Sequence, residues 1–226
     1  MSHAVTVITG ASGILGQALV EAALARGDRV AAIDFGTLHS PDSASFLGLS
    51  GVDLTQADAT NAAIDKIAKH FGRIDNLLNA VGGFVWQMTD GPLDSWERMH
   101  RMNLMTVLNA CRATLPHLLA QTRGSIVNVG ALGALTAAAG LGAYAASKAG
   151  VHKLTEALAE ETKSGKLRIN AVLPSVIDTP TNRADMPDAD FGTWVQPSQL
   201  ASVMLFLASD AASAVTGALL PVRGKV

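Results

Sequence analysis

The sequence predicts an α/β fold, a doubly wound parallel sheet of about seven strands with helices on both faces, in a single domain over residues 1–226. Three observations carry this expectation. Short apolar runs alternate with helical periods along the whole chain, and the first apolar run passes directly into a glycine-rich turn and a helix. No charge run, low-complexity stretch or shift in composition divides the chain. At 226 residues and 49% hydrophobic content, one such domain can bury a sizeable core.

Ala4-Val5-Thr6-Val7-Ile8-Thr9 reads as a buried parallel strand that runs into Gly10-Ala11-Ser12-Gly13-Ile14-Leu15-Gly16, followed by a helix through about Arg26. Glycines at 10, 13 and 16 allow a tight turn, close approach of a pyrophosphate and close helix-on-sheet packing. The helix N-terminus adds free N–H groups and a favourable dipole, so a dinucleotide is expected there. A second strand, Arg29 to Ile33, ends at Asp34, where a carboxylate can accept the ribose hydroxyls of NAD and repel a 2′-phosphate. The alternative is a strand-ending turn residue. Residues 35–48, with Gly36, Ser40, Pro41 and Asp42, read as an irregular connection in which the expected helix is short or missing.

Leu49 to Leu54 is a short strand candidate with Asp53 and Leu54 at the adenine edge, and 56–71 an amphipathic helix ending before Gly72. Ile74 to Asn79 is a fourth strand; Asn79-Ala80-Val81-Gly82-Gly83 is either a cofactor-facing strand exit or a plain turn. From Pro92 to Leu119 a long helix carries Trp96, Met99, Met102, Leu104, Leu108 and Leu115 on more than one face. Gly124 to Val129 is a fifth strand, joined by a small-residue loop, Gly130 to Leu141, to a helix reaching about Thr162. Leu167 to Leu173 is a sixth strand ending at Pro174, Pro197 opens a helix through Ser209, and Val215 to Val222 is the last strand.

Composition excludes several classes of function. Charged residues make up 16%, the net charge is -2 and no basic run occurs, so no nucleic-acid surface is expected. No apolar run reaches membrane-spanning length, and Met1-Ser2-His3 leads into the first strand without the pattern of a secretory leader. Cys111 is the only cysteine, and histidines 3, 39, 70, 100, 117 and 152 form no pair at helical ligand spacing, so no metal site is expected. A cytoplasmic protein is the default.

Tyr144, the only tyrosine, stands four residues before Lys148 at the start of the long helix that follows the loop. On a helix the two share a face, and an adjacent ammonium lowers a phenol from about 10 towards the range of a general acid. Trp86, after the Gly82-Gly83 exit, either stacks on a flat heterocycle or serves as a core or lid residue.

Thr9-Gly10 with its glycine turn, Asn79-Ala80, Asn103, Tyr144-x-x-x-Lys148 and Pro174-x-x-x-x-Thr179 together resemble the short-chain dehydrogenase/reductase family, in order and spacing over essentially the whole chain. The resemblance implies a Rossmann-type domain, Tyr144 as acid/base, Lys148 lowering its pKa and holding the nicotinamide ribose, and Asn103 supporting a proton relay. It also implies that the backbone at Ile177 and the hydroxyl of Thr179 hold the nicotinamide carboxamide. One position departs from the family: thirteen residues before the tyrosine, where a serine usually polarises the substrate carbonyl, this chain has Ala131. Thr136 is the nearby hydroxyl in sequence.

Within the family, the chain is similar to quinonoid dihydropteridine reductases, which also lack that serine. The likeness rests on the Gly-x-x-Gly-x-x-Gly spacing, the acidic residue after the second strand, and the stretch Thr179-Pro180-Thr181-Asn182-Arg183-Ala184-Asp185-Met186-Pro187-Asp188-Ala189-Asp190-Phe191. It implies an NADH-preferring reductase of a small conjugated acceptor, NAD(H) over NADP(H), with 179–196 closing over the substrate. A general carbonyl or alcohol oxidoreductase with a substitute for the serine, and a non-catalytic NAD-binding scaffold or sensor, are the alternatives. The apolar and small-residue surface of 93–119 and 143–162 predicts a homodimer or homotetramer.

Overall fold

A computed structural model describes residues 4–39 and 43–226. Met1 to His3, and Ser40, Pro41 and Asp42 of the expected irregular connection, lie outside the described residues. The strands are β1 Val5–Thr9, β2 Arg29–Ile33, β3 Phe46–Leu49, β4 Asn76–Asn79, β5 Gly124–Val129, β6 Leu167–Pro174 and β7 Leu219–Val222. They form one parallel sheet in the order β3-β2-β1-β4-β5-β6-β7. The order reverses between β1 and β4, and a crevice opens there at the carboxyl ends of the strands.

The helices are α1 Ile14–Ala25, α2 Ala57–Phe71, α3 Asp94–Met99, α4 Thr106–Leu119, α5 Gly142–Glu161, α6 Pro180–Asp185 and α7 Pro197–Leu207. The two-residue period of the strands sorts the core onto two faces. Val5, Val7, Ala31 and Ile33 pack with Ile64 and Ile67 of α2, Ala110 of α4 and Val151 of α5. Ile8, Val30 and Ala32 pack with Leu19 and Ala23 of α1 and Leu200 and Met204 of α7. Helices therefore cover both faces of the sheet, as the sequence predicts. Gly72, with φ +76°, ends α2 by donating its N–H to Ala68 O at 2.8 Å.

Several expected boundaries shift. The strand expected over Leu49 to Leu54 is Phe46–Leu49, because Gly51 at φ +73° and the Asp53–Thr55 hydrogen bonds turn the chain as soon as it leaves the sheet. The fourth strand begins at Asn76, since Ile74 and Asp75 lie before the sheet pairing with β1 and β5. The last strand begins at Leu219, after a left-handed Gly217, and α7 stops at Leu207 ahead of a 3-10 turn at Asp210–Ala212. No helix forms among the described residues between β2 and β3.

The expected long helix is interrupted. It starts at Asp94, and His100–Met105 adopts π geometry between α3 and α4, with the Thr106 N–H donating to Arg101 O five residues back. One extra residue per turn rotates Asn103 into the protein, where it is fully buried.

Candidate active site

The β1–α1 turn builds the first wall. Gly10 has φ +70°, and a Cβ there would meet Val81 N at 2.8 Å; a Cβ on Gly16 would collide with Gly10 O. Only glycine lets the turn pass this close to both the β4 exit and the helix. Gly13 caps α1 without a side-chain hydrogen bond, so the first N–H groups of α1 face the crevice without side-chain partners. Ile14 is exposed at this end, while Leu15 is buried in the core and holds the turn from behind.

A cavity of about 740 Å³ lies over this turn, lined by Gly10, Ser12, Gly13, Asp34, Asp53, Leu54 and Ala80 among others. Asp34 accepts Ser12 N–H at 2.9 Å through one carboxylate oxygen and Gly36 N–H at 2.7 Å through the other. It is thus more than a turn residue: it ties the β2 exit to the glycine turn, with lone pairs left for further donors. Asp53 accepts both the N–H and the hydroxyl of Thr55, and these bonds hold its carboxyl below the usual range. Leu54 is buried and its carbonyl accepts Asn109 Nδ2–H at 2.9 Å, so its role is to shape the floor. Phe35, which the sequence reading missed, lines the same cavity and is 73% exposed.

Asn79 differs from expectation. Its side chain accepts Thr9 Oγ1–H at 3.1 Å and donates to Asn128 Oδ1 at 2.9 Å, buried between strands. The amide therefore clamps the β4 exit from inside; Ala80, Val81 and Gly82, the next residues, line the cavity.

Lys148 and Asn103 meet on the far side of that exit. Asn103 donates to Ser147 Oγ at 2.9 Å and to Gly83 O at 3.1 Å, and accepts Gly83 N–H at 2.8 Å. A Cβ on Gly82 would lie 3.0 Å from Lys148 Nζ and 3.1 Å from Asn103 Oδ1, so glycine there lets the backbone lie against both groups. Tyr144 and Lys148 share one face of α5, as their spacing requires, but the electrostatics are not those expected. Lys148 donates to Val129 O at 2.7 Å. Burial pushes the Tyr144 phenol up to about 12 and the Lys148 ammonium down to about 8. The phenol is therefore raised rather than lowered as expected, because burial takes the phenolate out of water.

The surroundings of the Tyr144 ring are apolar. Phe84, absent from the candidates, sets its ring edge-on to Tyr144 at 5.1 Å and is 52% exposed. Its signal in the sequence was the alternation Phe84, Trp86, Met88 after the glycines. Trp86 is 61% exposed and packs on Gly140, whose φ of +77° leaves no room for a Cβ against the indole. Gln87 N–H donates to Gly140 O at 2.9 Å, pinning this segment over the β5–α5 loop. Ala131 is 4% exposed, and its N–H donates to His152 Nε2 at 3.2 Å. Thr136 lies on the exposed part of the loop, with no hydrogen bond to the Tyr144 side chain.

Pro174 ends β6, and Ile177 bridges to Val195, its carbonyl accepting Asn182 Nδ2–H at 2.7 Å. Thr179 caps α6 by accepting Asn182 N–H at 3.1 Å, which leaves its hydroxyl proton available. The segment from 179 is tied down by Arg183, paired with Asp178 at 2.6 Å and stacked over Phe191 at 4.8 Å. Among the described residues there is no group of three or more side chains that could hold a metal, and no helix long and apolar enough to cross a membrane.

The short chain dehydrogenase family pattern matches residues 4–190. The chain is 32% identical to 2-(R)-hydroxypropyl-CoM dehydrogenase of Xanthobacter autotrophicus over 97% of both proteins. It superposes on the ligand-free aldohexose dehydrogenase of Thermoplasma acidophilum with a TM-score of 0.88 at 29% identity, covering 99% of this chain and 93% of that one. It also superposes on carveol dehydrogenase of Mycobacterium avium in complex with NAD, with a TM-score of 0.86 at 27% identity, covering 99% and 97%. A pattern matched over most of the chain, and relatives aligned nearly end to end, place this protein in the short-chain dehydrogenase family, as a short-chain oxidoreductase.

Proposed function

We propose that the protein is an NADH-preferring reductase of a small conjugated acceptor, with a quinonoid dihydropteridine as the leading substrate. The family implies use of a nicotinamide cofactor, and the cleft fits one: a turn with glycines at 10, 13 and 16, helix N–H groups without side-chain partners, and a carboxylate at the β2 exit. Asp34, with both oxygens already oriented by backbone donors, suits ribose hydroxyls and repels a 2′-phosphate. When bound, the cofactor supplies a hydride. Tyr144 then donates its proton to the acceptor, Lys148 supports the phenolate electrostatically, and Asn103 holds the Gly83 backbone and Ser147 beside them. Phe84 and Trp86 offer apolar faces to a flat ring.

The observation that carries this reading is Ala131. A methyl stands where the family places a donor, its own N–H is taken by His152, and Thr136 sits out on the loop. An electron-poor conjugated imine needs less polarisation than a ketone, which accords with such a site. Residues 179–196 are read as the segment that closes over the substrate, and the face of α4 and α5 as the contact of a homodimer or homotetramer.

The test is NADH oxidation with freshly generated quinonoid dihydropterin, beside Tyr144→Phe and beside NADPH. Saturable turnover that prefers NADH and collapses in the variant supports the proposal; tight NADH binding without turnover refutes the substrate assignment. The second reading is a general carbonyl or alcohol oxidoreductase, favoured by the names of the relatives, dehydrogenases of hydroxypropyl-CoM, an aldohexose and carveol. Reduction of simple ketones, lost in Tyr144→Phe, would select it.

A further inference from the structure

His152 is buried, 3% exposed, and has no part in the chemistry just described. It stands on α5 one turn beyond Lys148 and two beyond Tyr144, so all three lie along one helix face. Its Nε2 accepts the Ala131 N–H at 3.2 Å, while Lys148 Nζ donates to Val129 O at 2.7 Å and Asn128 Nδ2 donates to Thr155 Oγ1 at 2.9 Å. Three rungs therefore fasten the end of β5 to α5, and His152 holds the outermost, at the residue that replaces the family's serine. The fit is tight: a Cβ on Gly130 would come within 2.5 Å of His152 Nε2 and 2.6 Å of Leu173 Cδ2.

We propose that His152 is a positioning residue whose unprotonated Nε2 fixes the strand exit at Ala131 beside the phenol, so that protonating this one ring unfastens the exit and sets the acid limit of turnover. A neutral imidazole with an accepting Nε2 carries its proton on Nδ1. Protonation places an N–H on Nε2, so donor then faces donor across the Ala131 rung. The charged groups that bear on the ring are Lys148, Glu156 and Lys153, all on α5, and its neighbours Gly130 and Ala131, just past β5, and Leu173 on β6 carry no charge. Burial first, and then the Lys148 ammonium, hold the ring below its ordinary range, so the rung is closed at neutral pH and opens on acidification.

This inference rests on the catalytic reading only for its kinetic arm. The experiment uses 15N-labelled full-length protein with saturating NADH, in wild type, His152→Gln, whose carbonyl can accept the same N–H without titrating, and His152→Leu, which cannot accept it. In wild type, the His152 nitrogens are expected to show the Nδ1–H form at pH 7.5, and the Ala131 amide signal to shift with the His152 titration as pH falls. In His152→Gln that shift disappears. With quinonoid dihydropterin, wild-type kcat falls about tenfold per pH unit below the His152 midpoint. His152→Gln loses less than tenfold at pH 7.5 but no longer shows that limb, and His152→Leu is lowered at every pH. An Ala131 amide that stays still while His152 titrates overturns the proposal, as does an unchanged acid limb in His152→Gln. Absence of turnover with the pterin bears on the substrate reading, and the amide titration then decides this one alone.

Discussion

Ala131→Ser places a hydroxyl at the position where the family resemblance leads one to expect a serine. The backbone there is extended, φ -158° and ψ 139°, and its N–H is anchored on His152, so the serine would arrive with only its side-chain rotamer to settle. A donor aimed at developing negative charge stabilises the transition state by about 2.7–4 kcal/mol, or about a hundredfold to a thousandfold in rate. A simple ketone concentrates that charge on one oxygen and should gain most of the factor. A conjugated acceptor spreads it over the ring and already accepts hydride without the donor; its kcat is expected to change by less than about threefold. The assay is NADH oxidation with an unactivated ketone and with quinonoid dihydropterin, each in wild type and variant. An equal gain on both acceptors, or none on the ketone, would refute the link between Ala131 and acceptor choice. Melting temperature serves as the control, since an unpaired buried hydroxyl costs about 1–3 kcal/mol and each kcal/mol lowers Tm by about 2–4 °C at this size.

Tyr144→Phe should lower kcat by about a hundredfold to ten-thousandfold with NADH affinity, read by fluorescence, moved little, as expected for loss of a proton donor rather than of binding. Asp34→Ser removes the acceptor of the Ser12 and Gly36 N–H groups, and the ratio of NADPH to NADH dissociation constants should fall at least tenfold; an unchanged ratio would remove Asp34 as the discriminator. Gly16→Ala drives a methyl into Gly10 O and should abolish NADH binding or lower Tm measurably. The Lys148 ammonium, held at about 8 in the folded protein against about 10.4 in an unfolded chain, means that the unfolded state binds more protons between those values. Stability measured by urea unfolding should therefore rise as pH goes from about 8 to 10, and Lys148→Met should flatten that rise.

The sequence alone was enough for the architecture. A parallel sheet buried on both faces needs continuous apolar strands joined by crossovers, and apart from the β2–β3 connection, where no helix forms among the described residues, that alternation of strand and helix is written locally along the chain. The glycine turn was legible because the constraint is local too: positive φ and the lack of a Cβ are properties of single residues. Tyr144 and Lys148 were legible because helical spacing alone puts them on one face. The boundaries at Leu49 and Leu219 were not, since a strand ends where its neighbour in the sheet stops pairing, and that neighbour is distant in sequence. Burial belongs to the same class. Whether the phenol is lowered by an ammonium or raised by desolvation depends on how much water reaches it, which spacing does not encode. Phe84 beside Tyr144 and His152 on the Ala131 amide are contacts between segments 60 and 21 residues apart, respectively. Only the folded sheet brings the ends of β4, β5 and α5 together, so the tertiary structure alone decided what surrounds the phenol.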